Sequence, residues 1–252
     1  MVKATLSSSE DYLWTYIQQH IDDIANMSII KLSEQANVST ATIVRTMKKK
    51  GYNGFTSFKQ QLIQKNKNNT QFAFLNQVDQ EIKSAVLKNQ HEVNNTLENL
   101  DIGIVEDSIQ KIKDAHKVYI FARGFSEFIA KEMTLKLQLL GKNCEIHDDP
   151  NIIKPISKQI MNHDVLILIT LNGETAELVQ AAKNAMQNNV TIITFTTNPN
   201  GTILQFSDLV FLGYKSPISY FPDYEVHSRL PLNILVRILL DAYAIRSPHL
   251  LS

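Results

Sequence analysis

From Ser9 to about Gln64 apolar residues recur every three to four positions, and no alternating strand pattern interrupts them. Tyr12, Leu13, Tyr16, Ile17, Ile21 and Ile24 form one stripe of an amphipathic helix. A short helix opens at Ile29-Ile30-Lys31-Leu32-Ser33 and breaks at Asn37-Val38; a second starts at Ser39-Thr40 and runs to Lys50. Gly51 ends it, because glycine accepts the left-handed conformation common at helix C-termini. The pattern predicts helix, tight turn, helix. On the second helix Ile43 and Met47 share the inward side with Val38, which leaves Ala41, Arg45, Lys48 and Lys49 on the other.

Between Asn66 and about Asn99 the chain turns polar around weakly periodic apolar residues, Phe72, Phe74, Leu75, Val78, Ile82, Val86 and Leu87. A linker followed by a helix fits, its apolar residues packing against the second domain or a partner chain. Beyond Ile104 strands and helices alternate. Strands are expected at Lys117–Ala122, Asn143–Ile146, Val165–Thr170, Val190–Thr196 and Leu209–Leu212. Helices are expected at Phe125–Leu140, Ile152–Met161, Glu174–Gln187, Gly201–Phe206 and about His227–Ala244. Such alternation predicts an α/β domain with a central parallel sheet and helices on both faces. The expected organisation is an all-α helix-turn-helix domain over 1–70, a helical linker over 71–103 and the α/β domain over 104–252.

Length and charge refine this picture. A chain of 252 residues is long for one compact domain and comfortable for two. Its single cysteine, Cys144, excludes an intrachain disulfide, and acidic residues stand near the start where a signal peptide needs an apolar core. The longest clean apolar run, Val165–Thr170, is too short to cross a bilayer. A cytoplasmic protein without membrane partners is expected. The formal net charge of zero hides an asymmetry: residues 1–70 hold nine Lys/Arg against five Asp/Glu, the rest 16 against 20. Ser39 to Lys67 carries seven basic residues and no acidic one, which suits a face that meets phosphates.

A helix with a small N-terminal turn and basic residues behind it suits the major groove, with its N-terminal end against base edges. Ser39, Thr40, Ala41, Thr42, Arg45, Lys48 and Lys49 are therefore the candidate DNA-binding residues, with operator DNA as partner. The stretch Val38 to Leu62, VSTATIVRTMKKKGYNGFTSFKQQL, also resembles the N-terminal domain of the RpiR family of bacterial transcriptional regulators. Val38-Ser39, Thr42, Arg45, Gly51-Tyr52 and Gly54-Phe55 fit that family's pattern in order and spacing.

Candidate chemistry in the second domain lies where strands run into helices, since ligands of open parallel sheets collect at the carboxyl ends of the strands. The strand VLILIT delivers LNGET: Gly173 lets a ligand approach the backbone, Thr175 adds a hydroxyl, and the next helix offers free N–H groups at its positive end. An anion fits there, and a phosphate better than a neutral group. A second loop, FARGFSEF, brings Gly124 and Ser126 to an equivalent turn. Together the loops resemble the sugar isomerase (SIS) domain that follows the helix-turn-helix in RpiR-type regulators and binds phosphosugars. Of that domain's Gly-x-Gly-x-Ser loop, Gly124 and Ser126 match and Ala122 departs; of its Ser-x-Ser-Gly-Glu-Thr loop, Gly173, Glu174 and Thr175 match, while Thr170 and Asn172 replace the serines.

The resemblance implies ligand contacts from Gly124, Ser126, Thr170, Asn172, Gly173 and Thr175. Glu225, with His227 nearby, lies where SIS proteins bring residues toward the ligand, often across a subunit interface. An isomerase would need such a base beside a carbonyl, but a carboxylate there serves equally to bind sugar hydroxyls. His147-Asp148-Asp149 lacks a second ligand pair at metal spacing, so neither a metal nor another cofactor is expected. The reading is a transcriptional regulator of sugar metabolism that senses a phosphosugar, the alternative being a sugar-phosphate isomerase with an appended helical domain. Because operator half-sites come in pairs, a homodimer or homotetramer is expected, with the terminal stripe Leu232, Leu235, Val236 and Leu239 a candidate interface.

Overall fold

The computed structural model describes residues 6–20, 24, 27–60, 62, 78–221 and 227–247. The chain divides into two compact units, Met1–Gln80 and Glu81–Ser252.

The first unit contains α1 (Ser8–Gln19), α2 (Ile29–Gln35) and α3 (Thr40–Lys49), with a further helical segment over 55–60. Ser28 caps α2 by accepting the Lys31 N–H at 3.1 Å, and Ser39 caps α3 by accepting the Thr42 N–H at 3.1 Å. Asn37, at φ 53°, makes the tight turn between the two helices, a left-handed position that asparagine tolerates better than most residues. After α3 the Gly51 N–H donates to the Lys48 carbonyl and the Tyr52 N–H to the Met47 carbonyl. Gly51 at φ 89° permits this C-terminal hydrogen-bond pair. The buried faces meet in one core of Leu13, Ile17, Leu32, Ile43, Met47, Phe55 and Phe58, as their helical spacing requires. Ile21, Phe72, Phe74 and Leu75 lie outside the described residues.

The second unit starts with α4 (Gln80–Glu98) and α5 (Ile102–Asp114). A five-stranded parallel sheet follows, with β1 (Val118–Ala122), β2 (Cys144–His147), β3 (Val165–Ile169), β4 (Thr191–Thr196) and β5 (Leu209–Leu212) in the order β2-β1-β3-β4-β5. The connecting helices are α6 (Ser126–Leu139), α7 (Pro150–Ile156) and α8 (Ala176–Gln187), then a 3-10 turn (Thr202–Phe206); α9 (Leu230–Ile245) comes last. Alternation along each strand divides two cores. Ile120, Ile167, Ile169, Ile193 and Phe195 pack with α5, α6 and α9, while Phe121, Leu166, Leu168 and Ile192 pack with α7 and α8. Helices therefore cover both faces of a wholly parallel sheet, which explains why β3 is apolar and buried at every position.

Three expectations change. The helix expected over Ile152–Met161 spans Pro150–Ile156: Asp149 caps it, and Asn188, the residue that ends α8, donates to the Lys158 and Ile160 carbonyls, drawing the chain away from helical geometry. In α4 the buried residues are Glu92 and Thr96, whereas Ile82 is exposed. Glu92 Oε1 accepts the Ser216 N–H and Thr96 Oγ1 the Tyr214 N–H, both at 3.0 Å, so side-chain acceptors fix α4 to the chain beyond β5. The stripe Leu232, Leu235, Val236 and Leu239 is buried against Ile193, Phe195 and Phe211; it covers the sheet and is unavailable as an interface.

Candidate functional site

The basic helix of the first unit presents its residues unequally. Ser39, Thr40, Ala41, Arg45, Lys48 and Lys49 are exposed, whereas Thr42 is buried and its hydroxyl is 2.9 Å from that of Ser39. Thr42 thus helps hold the helix start. Lys49 donates to Glu10 Oε2 on α1 at 2.7 Å, and this hydrogen bond leads the causes that hold the Glu10 carboxyl down at about 2. The same carboxylate accepts the Ser7 N–H at 2.8 Å. Lys50 stands 4.5 Å over the Trp14 ring, and Lys59 donates to the Met27 carbonyl at 2.6 Å. Much of the basic segment therefore also braces the domain, leaving Arg45 in the middle of α3 and Lys48 in its last turn as outward cations. No local spacing signals the Lys49–Glu10 pair, whose members are 39 residues apart.

In the second unit the strand order reverses between β1 and β3, the point where such sheets open a crevice beyond the carboxyl ends of their strands. Ala122 is paired with Ile169, so the loops that leave these strands, 123–125 and 170–175, start side by side. Gly124 has φ 58° and Gly173 φ 70°, both in the left-handed region. At Gly173 a Cβ would lie 3.1 Å from Ile203 Cγ2 and 3.2 Å from Gly201 Cα, so an added side chain would also crowd these neighbours.

The polar groups of these loops fall into two sets. One set shapes the loops. Gly124 N–H donates to Glu127 Oε1 at 2.8 Å, and Gly173 N–H to the buried Thr170 hydroxyl at 3.3 Å. Glu174 turns away, accepting the Thr202 N–H at 2.8 Å and its hydroxyl at 2.7 Å, and those bonds lower its carboxyl below the usual carboxylate range. The Asn172 carbonyl accepts from Asn198, and its side-chain oxygen accepts from Lys215 Nζ at 3.0 Å. A lysine can only donate, which settles the orientation of that amide. Arg123 donates to the Asp148 carbonyl, beyond β2.

The other set stands at helix starts. Thr175 is the N-cap of α8 and Ser126 the first residue of α6, yet neither helix has a side-chain cap hydrogen bond. Ser126 is nevertheless almost wholly buried. Two hydroxyls thus stand at the positive ends of two helices, beside N–H groups that have no intrahelical acceptor. Lys215 is a cation that sequence reasoning missed; it lies 43 residues from Asn172, and no motif marks it. Glu225 lies outside the described residues, while His227 lines a cleft of about 280 Å³ with Lys88, Asn89 and Tyr220.

Comparison with known proteins accounts for both units. Residues 1–69 match the helix-turn-helix domain of the rpiR family, and residues 111–227 match the SIS domain. An uncharacterized HTH-type transcriptional regulator of Clostridium perfringens is 28% identical over 244 residues, covering 94% of this chain and 87% of that protein. Another, from Thermotoga maritima, is 30% identical over 194 residues, covering 74% and 69%. In fold, the chain is similar to the Vibrio vulnificus NanR protein complexed with ManNAc-6P, at TM-score 0.61 and 17% identity over 97% of this chain and 89% of that one. The sugar isomerase domain of an RpiR transcription factor from Sphaerobacter thermophilus gives TM-score 0.63 at 18% identity over 68% and 94%. With a DNA-binding helical domain in front and a SIS domain behind, in the order and over the length of its relatives, the chain belongs to the RpiR family of HTH-type transcriptional regulators.

Proposed function

We propose that this regulator binds an anionic sugar derivative between the Gly124–Ser126 and Thr170–Thr175 loops and couples its occupancy to operator binding. The phosphate would sit at the N-terminus of α8, accepting from Thr175, Ser126 and the backbone N–H groups beside Gly173, with Lys215 as the nearby cation. One observation carries this reading: two helices start at the β1/β3 switch point with hydroxyl side chains in place and no side-chain cap on either. A phosphate satisfies such donors better than a neutral group, because helix ends and charge-assisted hydrogen bonds both favour negative charge. The ManNAc-6P held by NanR is a fitting first compound to try.

The SIS domain serves in this reading as a sensor rather than a catalyst. Glu127 and Glu174, two carboxylates beside these loops, accept hydrogen bonds from Gly124 and Thr202 and are drawn into loop structure. Arg45 and Lys48 would meet operator DNA, with Thr40 and Ala41 at the end of α3 that enters the groove. The active form would be a cytoplasmic homo-oligomer. Phe128, Leu135 and Leu139 lie exposed on one face of α6, with Phe125 just before it, and a second copy is their expected cover.

A thermal-shift series against sugar phosphates tests the site, because a ligand that binds only the folded chain raises its midpoint by mass action. A compound that stabilises the wild type and fails with Thr175→Val supports the reading. Equal shifts in both proteins refute it, and turnover of the bound sugar phosphate would refute the sensor role.

A further inference from the structure

We infer that the amino ends of β1 and β3 carry a binding site for a divalent transition-metal ion, of which Zn²⁺ is the best fit, built from His116, His163 and Asp164. The register that pairs Val118 with Val165 also sets His116 beside His163, and the His116 N–H donates to the His163 carbonyl at 2.8 Å. Asp164 immediately precedes β3. Its N–H donates to the Met161 carbonyl and its Oδ2 accepts the Met161 N–H at 3.1 Å, a reciprocal clasp that fixes the carboxylate.

The remaining oxygen is what calls for a ligand. Asp164 is only 6% exposed, and among the described residues its Oδ1 is buried without a hydrogen-bond partner. A buried carboxylate oxygen in that condition is costly unless a cation or donor reaches it. His116 Nδ1 and His163 Nε2 each stand 3.8 Å from Oδ1, too far for a hydrogen bond, with the two rings 5.4 Å apart and nearly perpendicular. One ligand atom from each of the three residues falls within 4.8 Å of the others.

Those separations suit a shared ion. Metal–ligand bonds of about 2.0–2.2 Å in a tetrahedral site place ligand atoms roughly 3.4 Å apart. Both imidazoles are largely exposed and can rotate that remaining distance, while the buried carboxylate stays fixed. Two imidazoles and one carboxylate are a ligand set for zinc-class ions rather than for Mg²⁺ or Ca²⁺, which prefer oxygen throughout. A fourth position faces solvent. The ion would staple the start of β1 to the start of β3, at the end of the sheet opposite the Gly124 and Thr175 loops, so the site is independent of any sugar bound there.

The experiment uses the full-length chain, stripped with chelator and titrated with Zn²⁺ alone in competition with a chromophoric chelator. One ion per chain is expected, together with a higher thermal midpoint. His116→Ala and His163→Ala should each weaken binding by at least about tenfold, and the double variant should lose the midpoint shift. Both histidines are exposed, so these variants fold, and His91→Ala, which removes an exposed histidine of α4, should bind Zn²⁺ like the wild type. Equal stoichiometry and affinity in the wild type and the double variant, or no binding by either, overturns the site.

Discussion

Arg45 and Lys48 differ from Lys49 in what their loss should do. If Arg45 reads a base, Arg45→Ala costs about 1–3 kcal/mol of operator affinity and relaxes specificity at one position. Lys48→Ala instead weakens all sequences alike and lowers the slope of log affinity against log salt by roughly one, as loss of a phosphate contact requires. Both follow from anisotropy titrations at several salt concentrations. Lys49 is held by Glu10, and there the prediction concerns stability. Because the folded Glu10 carboxyl is depressed to about 2 from 4.5, its contribution is complete above pH 4.5 and is lost as pH falls toward 2. The thermal midpoint of wild type should therefore exceed that of Glu10→Gln at neutral pH, and the gap should close across that interval; a gap independent of pH would contradict the assignment. Helical spacing made the outward direction of Arg45 and Lys48 legible in the sequence. It could not reveal the Glu10 partner, because a contact across 39 residues leaves no periodic trace.

At the scale of elements, local chemistry set most boundaries. Ser39→Ala should destabilise the first unit by about 1 kcal/mol, since its hydroxyl caps the Thr42 N–H, measurable by chemical denaturation of the full chain. Gly173→Ala should cost about 1–3 kcal/mol from its left-handed backbone alone, and more because its Cβ would press on Ile203 and Gly201. That variant should also lose sugar-phosphate binding, as its loop cannot keep its shape. The strands of the sheet were readable as short apolar runs between turn residues, and β3 most clearly because both its faces are covered. The end of α7 was not readable, since the Asn188 amide that captures its following carbonyls stands at the C-cap of α8, about 30 residues on. Glycines 124 and 173 were legible as turn residues, but the Lys215 contact to Asn172 depends on how β5 is placed in the sheet. Asn172→Ser should release that lysine and change which sugar phosphate binds best, which the thermal-shift series reads directly.

For the whole molecule, two units of opposite charge balance divide the work of a regulator: the helical unit has a net excess of cations, and the SIS unit carries the polar loops. Their order along the chain was legible from the change of hydrophobic period. The proposed assembly surface was not, because an apolar stripe on α9 and one on α6 look alike until packing buries the first and leaves the second exposed. Phe128→Glu with Leu135→Glu should therefore shift the protein toward monomer in light scattering, while an unchanged mass would move the interface elsewhere. Communication between the units is tested most directly by one titration: operator binding by the full chain, followed by fluorescence anisotropy, with and without the sugar phosphate that raises its thermal midpoint. A saturating effector should change operator affinity at least about fivefold in the wild type, the lower range of measured couplings between sites. In Thr175→Val the same effector should act only at concentrations about tenfold to a hundredfold higher, the loss expected for one hydrogen bond to an ionised group. An effector that binds the wild type and leaves operator affinity unchanged, or acts at equal concentrations on both proteins, would contradict coupling through the Thr175 loop.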